Sequence, residues 1–323
     1  MSTLPADLST ALDTELARFP AQRMADAVQG LIHRYRAGVD PTEQVLDADL
    51  TVAAYAAYRM PATFAAVSAA LRQVAMVAPD FAPRSLIDLG GGTGTAVWAA
   101  ARTWPSLAEV TVLEQSTPAI ALGKRLAARS EVAAVRGAIW QRAVISGAVT
   151  GQADVITLSY VLNELAAQAR AEVVTSLAER AGVVVIVEPG TPVGYERIVA
   201  ARDDLIRAGM RVVAPCPHSG TCPIPRGKDW CHFAERLNRS ALHRKLKTGA
   251  LGHEDEKFAY VAATRADWGA ANNRVLRHPR SRKGLVSLRL CTGDGALTDT
   301  VVTKRDPEAY RAARDAGWGD PWP

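Results

Sequence analysis

The sequence predicts an α/β fold in which a parallel sheet lies between two layers of helices. Two observations predict it. Short apolar runs of strand length alternate with helical patterns between residues 84 and 210, and this alternation is typical of parallel sheets covered on both faces. A glycine-rich turn at residues 90–94 joins the first of these runs to the helix that follows it, as in the nucleotide-binding units of such sheets.

The first 80 residues are predicted to be helical. Leu8, Leu12 and Leu16 recur at helical spacing. Pro61 precedes an Ala-rich run that is apolar nearly all round, so we expect a buried helix with Pro61 at its first position. The run at residues 61–78 is shorter than the roughly 20 apolar residues that span a bilayer, and no signal peptide is visible. We therefore expect a cytoplasmic protein that does not enter a membrane.

The strands and helices of the central part follow in alternation. Each strand is a short run rich in Val, Ile and Leu, and each helix carries apolar residues at a spacing of three to four. The predicted strands are 85–89, 110–114, 154–159 and 183–188, and the predicted helices are 95–103, 118–128, 166–180 and 195–208.

The glycine turn carries the clearest functional motif. Its pattern is Asp88-x-Gly90-x-Gly92-x-Gly94, with Gly91 and Thr93 between the spaced glycines. Glycine lets the backbone turn sharply and approach a ligand closely. The D-x-G-x-G-x-G form is typical of the loop that binds S-adenosylmethionine (SAM) in class I methyltransferases, whereas the NAD fingerprint is G-x-G-x-x-G. We therefore predict a Rossmann-like, class I SAM-dependent methyltransferase core.

Three residues are candidates for the rest of the cofactor site. Glu114 ends the second predicted strand, 26 residues after Asp88, where a carboxylate can bind both hydroxyls of a ribose. Ser159 ends the 154–159 strand and Asn163 follows it, at the edge where ligands bind in such sheets. Asn163 also suits a helix cap. The Asn/Asp-Pro-Pro-aromatic loop of many amino-group methyltransferases is absent, so no catalytic residue is predicted.

The four cysteines lie in the C-terminal third of the chain. Cys216, Cys222 and Cys231 share a proline-rich segment, and Cys291 follows sixty residues later. Four thiolates suit either tetrahedral zinc or an iron–sulfur cluster. Zinc sites usually show tight C-x2–4-C pairs, which are missing here, so the spacing slightly favours a [4Fe–4S] cluster, with zinc or unrelated buried thiols as alternatives.

The positive charge is also concentrated in this third. Residues 211–323 hold 20 Lys and Arg against 12 Asp and Glu, whereas residues 1–210 hold 18 against 21. Such asymmetry suggests a polyanionic partner such as RNA, or a solvated basic surface. A basic helix is predicted at 234–247 and strands at 257–263, 285–290 and 298–303. The first two strands are expected to form an antiparallel hairpin that closes the sheet.

These parts give a predicted organisation in three regions. Residues 1–80 form an N-terminal helical region, 81–210 the SAM-binding core, and 211–323 a cysteine-containing, metal-binding and basic extension that includes the closing strands.

At this point the sequence resembles a known family. It is similar to the methyltransferase-like family of the mitochondrial small ribosomal subunit, which acts in small-subunit assembly and has bacterial members. The segments that carry the resemblance are YRMPATFAAV, LIDLGGGTG, SYVLNEL, VIVEPGTP, CPHSGTCPIPRGKDWCHF, KFAYV, LRLC and the closing WGD.

The resemblance implies a set of cofactors and a partner. It implies SAM at residues 88–94 and Glu114, a [4Fe–4S] cluster on Cys216, Cys222, Cys231 and Cys291, and association with small-subunit ribosomal RNA. We expect a monomer away from the ribosome. Three functions stay open: a SAM-binding, iron–sulfur assembly factor, an active rRNA methyltransferase, and a methyltransferase of another substrate with structural zinc.

Overall fold

The computed structural model describes residues 2–37, 46, 48–145, 147, 149–238 and 253–323. Its helices are α1 Ala6–Leu16, α2 Ala21–Ala37, α3 Asp49–Val77, α4 Thr95–Thr103, α5 Thr117–Ala127, α6 Ala133–Arg136, α7 Ala167–Arg180, α8 Pro192–Arg207 and α9 Pro307–Asp315. Its strands are β1 Ser85–Leu89, β2 Glu109–Glu114, β3 Ile139–Arg142, β4 Ala153–Ser159, β5 Ala181–Pro189, β6 Arg211–Ala214, β7 Phe233–Asn238, β8 His253–Thr264, β9 Asn273–Val275, β10 Arg280–Arg282, β11 Leu285–Thr292, β12 Leu297–Thr303 and β13 Pro321–Trp322.

The larger sheet has the strand order β3-β2-β1-β4-β5-β8-β6, and β7 pairs with β8. The first five strands of this order are parallel to one another. β8 runs antiparallel to both β5 and β6. One antiparallel strand beside the last parallel strand is the arrangement of the class I methyltransferase sheet. The predicted α/β, Rossmann-like core is therefore confirmed.

Helices cover both faces of this sheet, as predicted. β5 is buried on both sides because its side chains alternate between two cores. Val183, Val185 and Val187 pack in the core that contains α3 and α4, whereas Val184 and Ile186 pack in the core that contains α7 and α8. Burial of each such side chain stabilises the fold by about 1.5–3 kcal/mol.

The prediction of a hairpin between 257–263 and 285–290 is wrong in its second strand. β8 does close the larger sheet, but β11 belongs to a smaller sheet with the order β10-β11-β9-β13, and β12 pairs with β11. Val286, Leu288 and Leu290 of β11 alternate into a separate core with Ala313 of α9. The apolar face of β11 is therefore buried against α9 and not against the larger sheet.

Pro61 lies inside α3 and not at a helix start, contrary to the sequence prediction. Apolar residues on both sides of Pro61 are buried, and the burial holds the helix together across the missing N–H of proline. Within the described residues, α3 alone is long and apolar enough to span a membrane by length and composition, and 61% of its most apolar window is buried. Such burial is typical of a core helix.

The predicted basic helix at 234–247 is wrong where the structure describes it. Residues 234–238 belong to β7, whose Phe233 and Leu237 are buried. β7 pairs with β8 in antiparallel register, with Phe233 opposite Phe258. Residues 239–247 lie outside the described residues.

Candidate functional site

The glycine turn lies at the carboxyl ends of the parallel strands, between β1 and α4. Gly90, Gly92 and Gly94 all have positive φ angles, of 66°, 57° and 82°, which side chains with a Cβ rarely adopt. The N–H groups of Gly90 and Gly91 both donate to the carbonyl of Leu113 on β2. The turn is thus fixed against the neighbouring strand, and it precedes the N-terminus of α4, where anions and ligand polar groups are favoured.

Asp88 lies beneath this turn and is 1% exposed. Its Oδ1 atom accepts a hydrogen bond from the Thr157 hydroxyl at 2.7 Å, whereas Oδ2 has no hydrogen-bond partner among the described residues. Burial raises the pKa of Asp88 to about 7, the hydrogen bond from Thr157 opposes the rise, and the charge of Glu114 adds to it. A buried carboxylate oxygen without a partner is costly, and it is suited to accept from a bound cationic or donor group.

Glu114 ends β2 and faces the same turn. Its Oε2 atom accepts from the N–H of Gly92 at 2.8 Å, and Oε1 accepts from the N–H of Ser116 at 2.7 Å. Burial raises the pKa of Glu114, and these backbone bonds oppose the rise. The carboxylate is therefore held at a fixed position beside the glycine turn, with further lone pairs free to accept.

A cavity opens in front of these groups. It is lined by Leu46, Tyr55, Gly90, Gly92, Glu114, Gln115, Ser116, Val144, Ile145, Ser159, Tyr160, Val161, Glu164 and Leu165. The structure thus brings Gly90, Gly92, Glu114 and Ser159 of the predicted cofactor site to one cavity. Gly91, Thr93 and Gly94 belong to the adjoining turn, and Asp88 lies behind it.

Two predicted residues after β4 carry buried oxygen atoms without partners. They are Oγ of Ser159 and Oδ1 of Asn163, and only Ser159 lines the cavity. Glu164 also lines it, and burial together with the charges of Glu114 and Glu188 raises the pKa of Glu164 to about 7. An acidic cavity with an unpartnered hydroxyl in its lining fits a ligand that is cationic and rich in hydrogen-bonding groups, as SAM is.

Sequence reasoning missed a polar network that includes Tyr160 of the cavity lining. Tyr160 has a positive φ of 62°, and its hydroxyl donates to Oε1 of Glu256 at 2.9 Å. Arg59 of α3 donates to both carboxylate oxygens of Glu256. The three residues are far apart in the chain, so no local sequence pattern predicts the network. In the structure, the positive φ of Tyr160, a residue other than glycine, is the local sign of a strained functional site.

Glu188 at the end of β5 was also missed, although it lies in the VEPGTP segment. It is fully buried, accepts from the N–H of Leu162 at 3.0 Å, and pairs with Arg197 at 3.2 Å. Burial raises the pKa of Glu188 to about 7, against the charge of Arg197. Glu188 therefore positions the loop after β4, from which Asn163 and Glu164 project.

The four cysteines line a second cavity. They share it with the side chains Tyr195, Arg202, His218 and Arg274 among others. The Tyr195 hydroxyl lies 3.3 Å from Sγ of Cys222, and Nε2 of His218 lies 3.5 Å from Sγ of Cys291. All four thiols are free, and among the described residues no three Cys, His, Asp or Glu side chains form a preformed metal-binding group.

The four thiols are the donor type that zinc and iron–sulfur clusters take. Burial raises the pKa of Cys216 and Cys231, and burial with the charges of neighbouring thiols raises the pKa of Cys291 to about 12. Without a metal these thiols stay protonated at neutral pH. Thiolate ligation would require these protons to be lost to a metal.

The basic residues divide into buried and exposed groups. Arg274 is 1% exposed, and Arg277 and Arg236 pair with Asp229 and Asp255. Arg280, Arg282 and Lys283 are exposed. The remaining basic residues of the predicted helix lie outside the described residues. Trp230 is half-buried and stacks on His232, while Phe233 is buried, so both aromatics pack against the protein.

Comparison with known proteins identifies the family. A sequence model described as "Mitochondrial small ribosomal subunit Rsm22" matches residues 49–323. The chain belongs to the Rsm22 family. The predicted resemblance is confirmed, and the match spans α3, the glycine turn, all four cysteines and the closing residues.

Two curated members of the Rsm22 group are similar in sequence. The human "Ribosome assembly protein METTL17, mitochondrial" is 31% identical over 289 residues, which cover 82% of this chain and 61% of that protein. The Schizosaccharomyces pombe "Rsm22-cox11 tandem protein 2, mitochondrial" is 27% identical over 188 residues, covering 44% of this chain and 24% of that protein. This Rsm22-family chain therefore spans less than two thirds of the relatives' lengths.

Solved structures share part of the core. The glycopeptide N-methyltransferase MtfA, complexed with SAM, overlaps 62% of this chain and 95% of its own, with 15% identity and a TM-score of 0.40. The fold assignment rests on the strand order of the Rsm22-family chain and not on this overlap.

Proposed function

We propose that this Rsm22-family protein is a SAM-binding, methyltransferase-like factor of small ribosomal subunit assembly. One observation carries the SAM proposal: the unpartnered, buried Oδ2 of Asp88 lies beneath the glycine turn, and Gly90 and Gly92 of that turn line the acidic cavity. In this site Asp88 accepts from the ammonium of the methionine moiety, and Glu114 accepts from the ribose hydroxyls. Ser159 and Asn163 supply further polar groups. The assembly role is supported by the family and by the name of the human relative.

Titration calorimetry of the purified full chain with SAM tests this proposal directly. We expect saturable binding at one site per chain. ATP and NAD serve as controls for general nucleotide affinity, because both share the adenosine moiety and lack the cationic methionine. Absent binding of SAM, or equal binding of ATP, would contradict the proposed site.

The second part of the proposal is a metal centre on Cys216, Cys222, Cys231 and Cys291. A [4Fe–4S] cluster is proposed, with structural zinc as the alternative. Both take four thiolates, and the convergence of the four thiols on one cavity supports either. Four thiolate–metal bonds would order a segment that has little apolar core of its own. Such a cluster leaves no open iron, so radical chemistry on SAM is not part of the proposal.

An anaerobic visible spectrum with iron, sulfide and zinc analysis separates these alternatives. We expect about four iron and four sulfide ions per chain in brown protein. A colourless chain with one zinc and no iron would replace the cluster with zinc. A chain with none of these elements would overturn the metal centre.

The proposed partner is small-subunit ribosomal RNA in an assembly intermediate. The exposed Arg280, Arg282 and Lys283 on and beside β10 support an RNA contact, because such side chains neutralise phosphates. A cytoplasmic location and a monomeric state away from the ribosome remain predictions from the sequence.

Active methylation of rRNA is the second candidate function. Glu164, with a pKa of about 7, and Tyr160 both line the cavity in front of the glycine turn. A carboxyl with such a pKa is suited to accept a proton from an acceptor group at neutral pH. Mass analysis of small-subunit rRNA from a deletion strain tests this function, since at least one methylated nucleotide should be lost. An unchanged modification set would leave the assembly role without methylation.

A further inference from the structure

Two arginine side chains in the cysteine cavity are almost entirely removed from water. Arg202 of α8 is 2% exposed, and Arg274 of β9 is 1% exposed. Both line the cavity that contains the four thiols. A guanidinium group stays charged at any physiological pH, so each places a full positive charge in this interior.

Arg274 has no carboxylate among its hydrogen-bond partners in the described residues. Its Nε donates to the carbonyl of Pro215 at 2.7 Å, and Nη1 donates to the carbonyl of Gly319 at 2.9 Å and to the side chain of Gln73. Nη2 is buried without a partner. The side chain is thus oriented by neutral acceptors, and its charge is not neutralised by them.

The hydrogen-bond partners of Arg202 are partly similar to those of Arg274. Nη2 donates to the carbonyls of His218 and Gly220, on the cysteine segment. Within the part of the chain that the structure describes, its one carboxylate contact runs from Nη1 to Asp203 at 3.2 Å. The Asp203 side chain is 44% exposed, and water weakens such a pair. Nε of Arg202 is buried without a partner.

Buried charges without strong counter-charges are unfavourable, so the interior should contain a compensating negative group. Four thiolates around Zn²⁺, or around a [4Fe–4S]²⁺ core, carry a net charge of −2. Two guanidinium groups carry +2. Arg274 donates to the carbonyl of the residue that precedes Cys216, and Arg202 donates to two carbonyls between Cys216 and Cys222, so both lie close to the thiols.

We propose that Arg202 and Arg274 are the counter-charges of a four-thiolate metal centre, and that they retain the metal in the cavity. This inference rests on the metal centre proposed above. It adds that the negative charge of the centre is balanced by the two guanidinium groups, one on α8 and one on β9. For an iron–sulfur cluster it also sets the direction of a redox effect: reduction makes the centre more negative, and removal of an arginine charge therefore lowers its reduction potential.

The alternative is that the two arginines only clamp loops through their carbonyl contacts. A clamp stabilises the chain equally with and without metal. A counter-charge stabilises the metal-loaded chain and is a cost in the metal-free chain. The two roles therefore predict opposite effects of charge removal on the metal-free protein.

The test compares four variants of the full chain, prepared anaerobically: Arg202→Gln, Arg274→Gln, Arg202→Lys and Arg274→Lys. Arg136→Gln is the matched control, because Arg136 also donates to a backbone carbonyl, that of Ser130, but lies in α6, away from the cysteines. The readouts are release of iron or zinc to a chelator, the midpoint potential when iron is present, and thermal unfolding with and without metal.

We expect each Gln variant to release metal at least about tenfold faster than the wild type, with a lower midpoint potential. The Lys variants should retain most of the metal because they keep the charge. Without metal, the Gln variants should unfold at the wild-type temperature or above it. Arg136→Gln should match the wild type in metal release.

Other outcomes would overturn the inference. Equal metal retention in Gln variants and wild type would refute the counter-charge role, as would Lys variants that lose metal as fast as Gln variants. Equal loss of stability with and without metal would identify a clamp. Wild-type chain that binds neither iron nor zinc would overturn the metal centre itself, and the arginine role with it.

Discussion

The indole Nε1 of Trp230 donates a hydrogen bond to the carbonyl oxygen of Gly190 at 2.9 Å. Trp230 precedes Cys231, and Gly190 directly follows β5. The N–H of Gly190 in turn donates to the carbonyl of Lys257 on β8, and a Cβ on Gly190 would lie 2.6 Å from the backbone nitrogen of Phe258. The cysteine segment is therefore fixed to the sheet next to Glu188, which positions the cofactor-site loop.

Trp230→Phe should loosen the cysteine segment without unfolding the core. The variant keeps an aromatic ring beside His232 but loses the donor, which is worth about 1 kcal/mol. We expect hydrogen exchange of the amides in residues 216–231 to rise about fivefold. Trp104→Phe is the control, because Nε1 of Trp104 has no partner to lose. Unchanged exchange in residues 216–231 of Trp230→Phe would show that the bond does not hold the segment.

Asp88→Asn should weaken SAM binding by about ten- to a hundredfold, because a buried charge-assisted hydrogen bond is worth about 1.5–3 kcal/mol. Calorimetry of the variant measures this change. Asp154→Asn is the matched control: its Oδ2 atom accepts from the backbone N–H groups of Arg84 and Ser85 at the opposite end of β1. That variant should lose some stability and bind SAM with wild-type affinity. Equal effects of the two substitutions would exclude a direct role for Asp88.

The buried carboxyl of Asp88 also predicts a pH dependence. Its pKa is raised to about 7 in the folded chain, compared with about 4 when unfolded. Between these values the folded state binds more protons than the unfolded state, so this group lowers the free energy of unfolding as pH rises from about 4 to about 7. Above pH 7 its effect is constant.

The measurement is the difference between wild type and Asp88→Asn in denaturant unfolding at pH 5, 6, 7 and 8. A difference is needed because burial lowers the pKa of His218 and His232, and these groups increase stability with pH over part of the same range. We expect the wild type to lose at least about 1 kcal/mol relative to the variant between pH 5 and 8. A pH-independent difference would mean that Asp88 keeps an ordinary pKa.

The sequence predicts the central region well because its signals are local. Each strand and helix predicted between residues 85 and 208 is present, with ends that differ by no more than three residues. Buried parallel strands such as β5 are continuous apolar runs in the sequence. The spaced glycines indicate a turn with positive φ angles, because glycine adopts them readily. Asp88 and Glu114 were identified for the same reason.

Features that depend on distant partners were missed. β10 is exposed along its whole length, so no apolar alternation indicates a strand. Arg274 lies in the basic C-terminal third, for which the sequence suggested a charged surface, but it is buried and donates to three acceptors from separate parts of the chain. Tyr160 and Glu256 meet across 96 residues, and no local pattern predicts such a contact.

Gly91→Ala should destabilise the turn for steric reasons alone, because Gly91 does not have a positive φ. A Cβ there would lie 2.6 Å from Oδ2 of Asp88 and 2.6 Å from Cγ1 of Val112. We expect a loss of about 1–3 kcal/mol in the free energy of unfolding, with loss of SAM binding. Gly30→Ala in α2 is the control: its Cβ meets nothing within 4 Å, and it should gain about 0.5–1 kcal/mol. Unchanged stability and SAM binding in Gly91→Ala would show that the turn can shift to accommodate a Cβ.

The exposed arginines of β10 give a prediction for RNA binding. Arg280 and Arg282 are two residues apart on one strand, so their side chains lie on the same face of the smaller sheet. If both contact phosphates, the double variant Arg280→Ala/Arg282→Ala releases two fewer counterions on binding. The slope of log affinity against log salt should then fall by about 1.4 for single-stranded rRNA segments. Fluorescence anisotropy over a salt series measures this slope. Arg23→Ala, an exposed arginine on α2, is the control and should keep the wild-type slope. An unchanged slope in the double variant would place the RNA contact elsewhere, and salt-insensitive binding by the wild type would refute an electrostatic RNA interface.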